Sequence, residues 1–92
     1  MKIFRFPMEI IDEQILEIPA GAKILAVQTK VHQPCIWALC DDKASIEYRR
    51  ILIYETGHEI DITGLQYLGT FQIKNLAEVL VFHVFEGYYD EI

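Results

Sequence analysis

The apolar and polar positions of the chain follow the two-residue period of β-strands through most of its length. Three segments alternate between apolar and polar side chains, as strands with one buried face do. Three others are short, nearly continuous runs of β-branched and aromatic residues, which is typical of strands covered on both faces. The alternating segments are 2–8, 23–31 and 67–73, and the apolar runs are 35–40, 50–55 and 79–85.

The longest apolar run, residues 79–85, is interrupted only by His83 and ends at Glu86 and Gly87. Its length predicts a strand covered on both faces, one of them packed in the core against 35–40 and 50–55. The other face is expected to be covered by a second subunit. Alternate residues of a strand share a face, so the core face carries Leu80, Phe82 and Val84. The second face carries Val81, His83 and Phe85.

The pattern leaves two stretches open. Residues 9–17 can be interpreted as helix from the spacing of Ile11, Ile15 and Ile18, but isoleucine-rich composition favours a strand at 14–18. Residues 43–48 are expected to be a loop, and residues 32–34 to form a turn.

The segments together predict about seven short, mostly antiparallel strands with turn signals every 8–15 residues. This pattern indicates an all-β fold, a small β-sandwich or a partly open barrel. With 92 residues the chain is expected to form one domain, 1–92, with a mobile acidic tail at 87–92.

Charge and composition narrow the possible functions. The net charge of −6 disfavours nucleic-acid binding, which requires clustered lysine and arginine. The N-terminal residues lack the apolar segment of a secretory signal, and no apolar run approaches the roughly 20 residues of a membrane-spanning helix. Cys35 and Cys40 have opposite parity in one strand, so a disulfide between them is not expected. A reducing cytoplasm and no membrane association are therefore predicted.

Three arginines are candidate ligands for a phosphate or a carboxylate. Arg49 and Arg50 are adjacent at a strand entrance, and Arg5 interrupts the apolar alternation of the first strand. The alternative is that each guanidinium pairs with one of the fourteen acidic residues.

Two ring side chains have both a structural and a functional interpretation. Trp37 could stack on a base, but a lone tryptophan in an apolar strand favours a core position. His83 could titrate or bind a ligand, but its apolar neighbours favour a neutral, hydrogen-bonded core histidine.

The turn Thr56-Gly57-His58-Glu59, with Asp61 close behind, is the most polar cluster. His58 and Glu59 are adjacent, so in an extended segment they point to opposite faces, which is poor spacing for metal ligands. A solvated turn is the favoured interpretation. No metal, cofactor or catalytic set is predicted.

Several short blocks carry a resemblance to a known group of proteins. They are residues 1–7 (MKIFRFP), 18–25 (IPAGAKIL), 37–39 (WAL), 56–58 (TGH), 69–72 (GTFQ) and 80–85 (LVFHVF). In this order the blocks resemble a family of small proteins encoded by tailed phages and prophages. The resemblance implies an accessory phage protein that acts in the host bacterial cytoplasm, and it implies no catalytic residues.

The resemblance and the residues together favour a non-enzymatic, homo-oligomeric binding protein. It is expected to counter host defence by sequestering a small phosphorylated, nucleotide-like signal. The alternatives are a protein–protein inhibitor or structural interaction module and, third, a phosphodiesterase-like enzyme dependent on His58. The predicted ligand-binding residues are Arg5, Trp37, Arg49, Arg50, Thr56, His58 and Gln72.

Overall fold

The protein is a two-layer β-sandwich in the computed structural model, which describes residues 1–89. The all-β prediction is confirmed, and no helix in this range could cross a membrane. The strands are β1 (Lys2–Pro7), β2 (Glu13–Pro19), β3 (Lys23–Lys30), β4 (Gln33–Cys40), β5 (Ile46–Glu55), β6 (Gln66–Lys74) and β7 (Val79–Gly87).

The strands form two antiparallel sheets. The three-stranded sheet has the order β1-β4-β3, and the four-stranded sheet has the order β2-β5-β7-β6. Their inner faces enclose one main apolar core, because alternate side chains of each strand point inward. The fully buried side chains Ile36, Ile51 and Val84 come from β4, β5 and β7, so the predicted packing of the 79–85 run is confirmed.

Edge strands β3 and β6 approach each other closely on one side of the sandwich. A Cβ atom on Gly69 of β6 would lie 2.9 Å from Cβ of Val27 in β3, so only glycine fits there without a shift. The Thr29 hydroxyl donates to the Gln72 carbonyl across the same gap, at 3.1 Å. The two sheets are therefore joined along one edge.

The open prediction for residues 9–17 is resolved as strand from Glu13 onwards, where β2 begins, and residues 9–12 belong to the connection between β1 and β2. Helical spacing would place Ile15 and Ile18 on one face. In β2 they lie on opposite faces, with Ile18 fully buried and Ile15 41% exposed. The loop expected at 43–48 is shorter than predicted, because hydrogen bonds from Lys43 and Ala44 to Asp41 close the turn early and β5 begins at Ile46.

The connection from β5 to β6 lies against part of the outer face of β7, where a second subunit is expected, and the outward side chains Val81, His83 and Phe85 stay partly exposed. Strands β5 and β6 both run antiparallel to β7; β5 ends opposite Phe82 and β6 begins opposite Glu86, so residues 56–65 connect two strands that flank β7. The Leu65 side chain reaches Gly87, where a Cβ would lie 3.1 Å from its methyl carbon. Ile60 lines a small cleft of about 150 Å³ together with His83 and Phe85.

The β3–β4 hairpin turns at Val31 and His32, one residue earlier than predicted, and Gln33 and Pro34 belong to β4. Both turn residues have positive φ, 48° and 66°, as a two-residue type I′ turn requires. A β-branched residue is strained in this region, and asparagine and glycine are favoured there.

The double substitution Val31→Asn, His32→Gly is expected to raise the free energy of unfolding by about 1 kcal/mol, because it places the favoured residues at both turn positions. Val31 is 87% exposed, so the change removes little packing. Urea denaturation measures the gain, and Val31→Thr, which keeps the β-branch, should leave the midpoint nearly unchanged. A lower midpoint for the double variant would show that the turn is not under strain.

Candidate functional site

The seven predicted ligand-binding residues lie at separate places in the fold. Arg49 points inward at one end of the sandwich, and Arg50 points outward from the same sheet. Thr56, His58 and Gln72 lie at the opposite end of that sheet, where β5 ends. Arg5 and Trp37 lie directly opposite each other on the three-stranded sheet.

Arg49 is engaged by the protein's own groups. Its Nε and Nη2 donate to the two carboxylate oxygens of Glu86, and its Nη1 donates to the Ala22 carbonyl at 2.8 Å. The hydrogen bond from Arg49 to Glu86 raises the pKa of Arg49, so the guanidinium stays charged. The side chains of Arg49 and Glu86 are only 14% and 18% exposed, and the pair joins β5 to β7. Arg49 is therefore paired with an acid, as the alternative prediction states, and the Glu86 carboxylate occupies the bidentate position that a phosphate would need.

Arg50 is paired as well. Its Nη2 lies 2.6 Å from Oε1 of Glu13 on the neighbouring strand β2. It lines an open cleft of about 530 Å³ with acidic residues, and the carboxylates there include Asp12, Glu55 and Glu59. An anionic ligand would be repelled by this cleft.

A chain of hydroxyl groups and one imidazole crosses the outer face of the four-stranded sheet. The Thr56 hydroxyl donates to the Val81 carbonyl at 3.2 Å and lies 2.6 Å from Nε2 of His83. The Nδ1 atom of His83 lies 3.1 Å from the Thr70 hydroxyl, which is itself bonded to the Tyr67 hydroxyl.

Each ring nitrogen of His83 faces a threonine hydroxyl. A hydroxyl group can both donate and accept, so both nitrogens have a hydrogen-bond partner in either tautomer of the ring. The interpretation of His83 as a hydrogen-bonded histidine is consistent with this geometry, although the ring lies on the outer face, in a cleft that Thr56 and Ile60 also line, and not in the core. Sequence reasoning missed the threonine partners, because only the register of β6 and β7 brings Thr70 opposite His83.

The predicted turn cluster and Gln72 do not form a closed site. His58 is exposed, and its Nε2 lies 3.8 Å from Glu55 across the turn. Asp61 accepts a hydrogen bond from the Thr63 amide at 2.9 Å, which lowers the pKa of its carboxyl group and closes the next turn. Within residues 1–89 no group of three histidine, cysteine or acidic side chains is placed to hold a metal ion.

Trp37 lies on the outer face of the three-stranded sheet, so its interpretation as a core residue is wrong. Its neighbours Ile36 and Ala38 are fully buried in the core, and the alternation of the strand turns the indole outward. Across the sheet it pairs with Arg5 of β1 and Ala26 of β3. The indole Nε1 is shielded from solvent, yet it has no hydrogen-bond acceptor in the described part of the chain.

We call this outer surface the basic face and define it by the outward residues of β1, β4 and β3. They include Ile3, Arg5, Trp37, Leu39, Lys23, Gln28 and Lys30. Leu39 and Ile3 give it an apolar centre beside Trp37, and Ile3 is 59% exposed.

Charge is divided unevenly between the two sheets. The sequences of β1, β3 and β4 contain four basic residues and no acidic residue. All fourteen acidic residues lie elsewhere, in the four-stranded sheet, the connections and the tail. The net charge of the chain therefore conceals a face with the opposite sign.

Arg5 and Lys30 border one groove of the basic face. The groove has a volume of about 340 Å³ and is also lined by Pro7, Gln33 and the buried thiol of Cys35. No ion pair involves Arg5 or Lys30 within residues 1–89, whereas Lys2, Arg49 and Arg50 are all paired. These two cations are therefore available to an anion.

Comparison with known proteins places the chain in a family. Residues 1–92 match the family described as a domain of unknown function, DUF7352. The chain belongs to this family. No curated protein and no solved structure matches it. The basic face and the Tyr67–Thr70–His83–Thr56 chain are thus features of a DUF7352 domain.

Proposed function

We propose that this DUF7352 domain is a non-enzymatic interaction module that binds an acidic surface of a protein partner through its basic face. The observation that carries the proposal is the composition of this face, which combines an outward tryptophan, exposed apolar side chains and basic residues with no acid. Protein interfaces commonly have an apolar centre and a polar rim, and tryptophan and arginine dominate their binding energy.

The charge pattern supports an acidic partner. Arg5 and Lys30 have no ion-pair partner in the described range, and Lys23 lies at the other end of β3. Cations at the rim accelerate association with a negatively charged surface and discriminate against basic ones. The unpaired Nε1 of Trp37 adds a donor for a carboxylate or carbonyl oxygen if the indole turns towards a bound partner.

The resemblance to phage proteins adds a cellular setting to the proposal. It predicts that the partner is a protein of the bacterial host and that binding inhibits this protein. A role against host defence is part of the same prediction.

Site-specific photo-crosslinking tests the proposal. A benzoylphenylalanine at Gln28 probes the basic face, and the same group at Gln72 probes the outer face of the other sheet. In bacterial cells position 28 should crosslink one protein with an acidic surface, and position 72 should not. Lys30→Glu should weaken binding of that purified protein by about tenfold, and Lys74→Glu on β6 should not. Equal crosslinking from both positions, or equal effects of the two charge reversals, would contradict the proposal.

The second candidate is the binding of a small phosphorylated ligand in the groove between Arg5 and Lys30. The favouring observation is that these two free cations border one groove close to Trp37, on which a base can stack. Inorganic phosphate and cyclic or ADP-ribose-type nucleotides at millimolar concentration are the probes. A rise in melting temperature that is lost in Arg5→Gln would support this candidate, and no shift with any probe would exclude it.

A further inference from the structure

Strand β1 is an exposed sheet edge. It pairs only with β4, and five of its six residues are exposed. The edges of β3 and β6 approach each other, so neither is open to a new strand. The remaining edge, β2, carries Glu13 and Glu17.

The hydrogen bonds of β1 identify its free groups. The Met8 amide donates to the carbonyl of Pro34, the residue directly opposite, at 2.8 Å. In an antiparallel ladder the hydrogen-bonded residues alternate, so Phe4 and Phe6 also bond to β4. The amides and carbonyls of Ile3 and Arg5 therefore point away from the sheet, and Pro7, which has no N–H, ends the open edge.

The same edge exposes large apolar side chains. Met1, Ile3 and Phe4 are 78%, 59% and 37% exposed. Phe4 lies opposite the fully buried Ala38 and faces inward, yet more than a third of its surface remains accessible. Exposed edge strands with apolar side chains are templates for pairing with another strand.

We propose that two copies of this chain associate by antiparallel pairing of their β1 strands about a two-fold axis at Phe4. In this register the Ile3 backbone of one copy bonds to the Arg5 backbone of the second copy, and the reverse pair forms on the other side of the axis. Ile3 and Arg5, whose backbone amides and carbonyls have no partner in β4, lie symmetrically on either side of Phe4, as an isologous interface requires. The two Phe4 side chains meet at the axis, and a six-stranded sheet results.

Cross-strand charges favour β1 over β2 for this pairing. In the β1 register isoleucine lies opposite arginine, so no like charges are directly opposite. If the β2 strands of two copies paired about a two-fold axis at Ile15, Glu13 of each copy would lie opposite Glu17 of the other copy. Like charges directly opposite each other destabilise strand pairing. Pairing of β1 with β2 of another copy would place Arg5 opposite Glu13, but Glu13 is already held by Arg50. That arrangement would also leave an open end for further copies.

The dimer brings the two Arg5 side chains into diagonal positions on the outer face, and each copy has a net charge of −6. Both repulsions are screened by salt, so the dimer is expected to become tighter as ionic strength rises. The basic faces of the two copies would be continuous, but the pairing itself does not depend on the partner proposed above.

The test uses the full chain alone. Native mass and light scattering over a concentration series should show a dimer with a dissociation constant in roughly the micromolar range. Hydrogen exchange should show protection of the Ile3 and Arg5 amides that grows with concentration. The amides of Phe4 and Phe6 bond to β4, so they should be protected at every concentration.

Ile3→Pro removes one free N–H and leaves the β4 ladder intact, because proline is tolerated where the N–H of an edge strand faces solvent. It should weaken the dimer about tenfold more than Ile3→Ala, which removes only the side chain. A monomer at all concentrations up to roughly millimolar would overturn the proposal. So would equal effects of the two variants, a dimer without Ile3 and Arg5 protection, or a series of species larger than dimers. The exchange measurement needs no variant, so a misfolded Ile3→Pro would still leave a decisive result.

Discussion

Arg49→Ala is expected to lower the free energy of unfolding by about 3 kcal/mol, because it leaves the Glu86 carboxylate shielded and unpaired. The Ala22 carbonyl loses its donor as well. Urea denaturation followed by circular dichroism measures the loss.

Three companion variants separate the ion pair from simple packing. Glu86→Gln should cost less, because an uncharged amide can still accept from Arg49. The double variant Arg49→Met, Glu86→Leu should recover most of the loss, since replacement of a buried ion pair by apolar residues of similar volume is often neutral. Arg50→Ala, which breaks the more exposed pair with Glu13, should cost under about 1 kcal/mol. If Arg49→Ala is no more damaging than Arg50→Ala, the inner pair does not hold the strands together.

Ile36→Ala is expected to lower the free energy of unfolding by about 3 kcal/mol. The side chain is fully buried in the main core between the sheets, so truncation leaves a cavity that its neighbours can only partly fill. Thermal and urea denaturation should agree on the loss.

Trp37→Ala is the matched control in the same strand. It removes a larger side chain, but from the outer face, where the loss should be about 1 kcal/mol and the core should stay intact. A loss at Trp37 equal to that at Ile36 would show that the indole is packed as a core residue. A small loss at Trp37 makes Trp37→Ala usable in binding experiments on the basic face.

Much of the fold could be predicted because apolar and polar side chains alternate clearly along several strands of this protein, and glycine, proline and aspartate mark the strand ends. The parity of residues 79–85 even assigned Val84 to the core and His83 to the opposite face. The apolar pattern does not distinguish a helix from a strand where it fits both periods, as at Ile11, Ile15 and Ile18. Spacing cannot decide such cases, because the choice depends on which neighbouring strand pairs with the segment.

The candidate sites could be predicted less well, because they depend on which strands become neighbours. Arg49 and Arg50 are adjacent in sequence, yet they point to opposite faces of one strand and have different carboxylate partners. Arg5 and Trp37 are far apart in sequence, and only the pairing of β1 with β4 brings them together. The net charge was equally uninformative, because it averages an acidic sheet with a basic one.

The position of β7 has a consequence for biosynthesis. It is the last of the seven strands to leave the ribosome, yet it lies between β5 and β6 in the four-stranded sheet. Until it arrives, β5 and β6 have no shared neighbour, and the connection at residues 56–65 has no surface to cross. Folding of this sheet must therefore wait until the chain has emerged beyond residue 87, and the unpaired edges of β5 and β6 are exposed to aggregation in the interval.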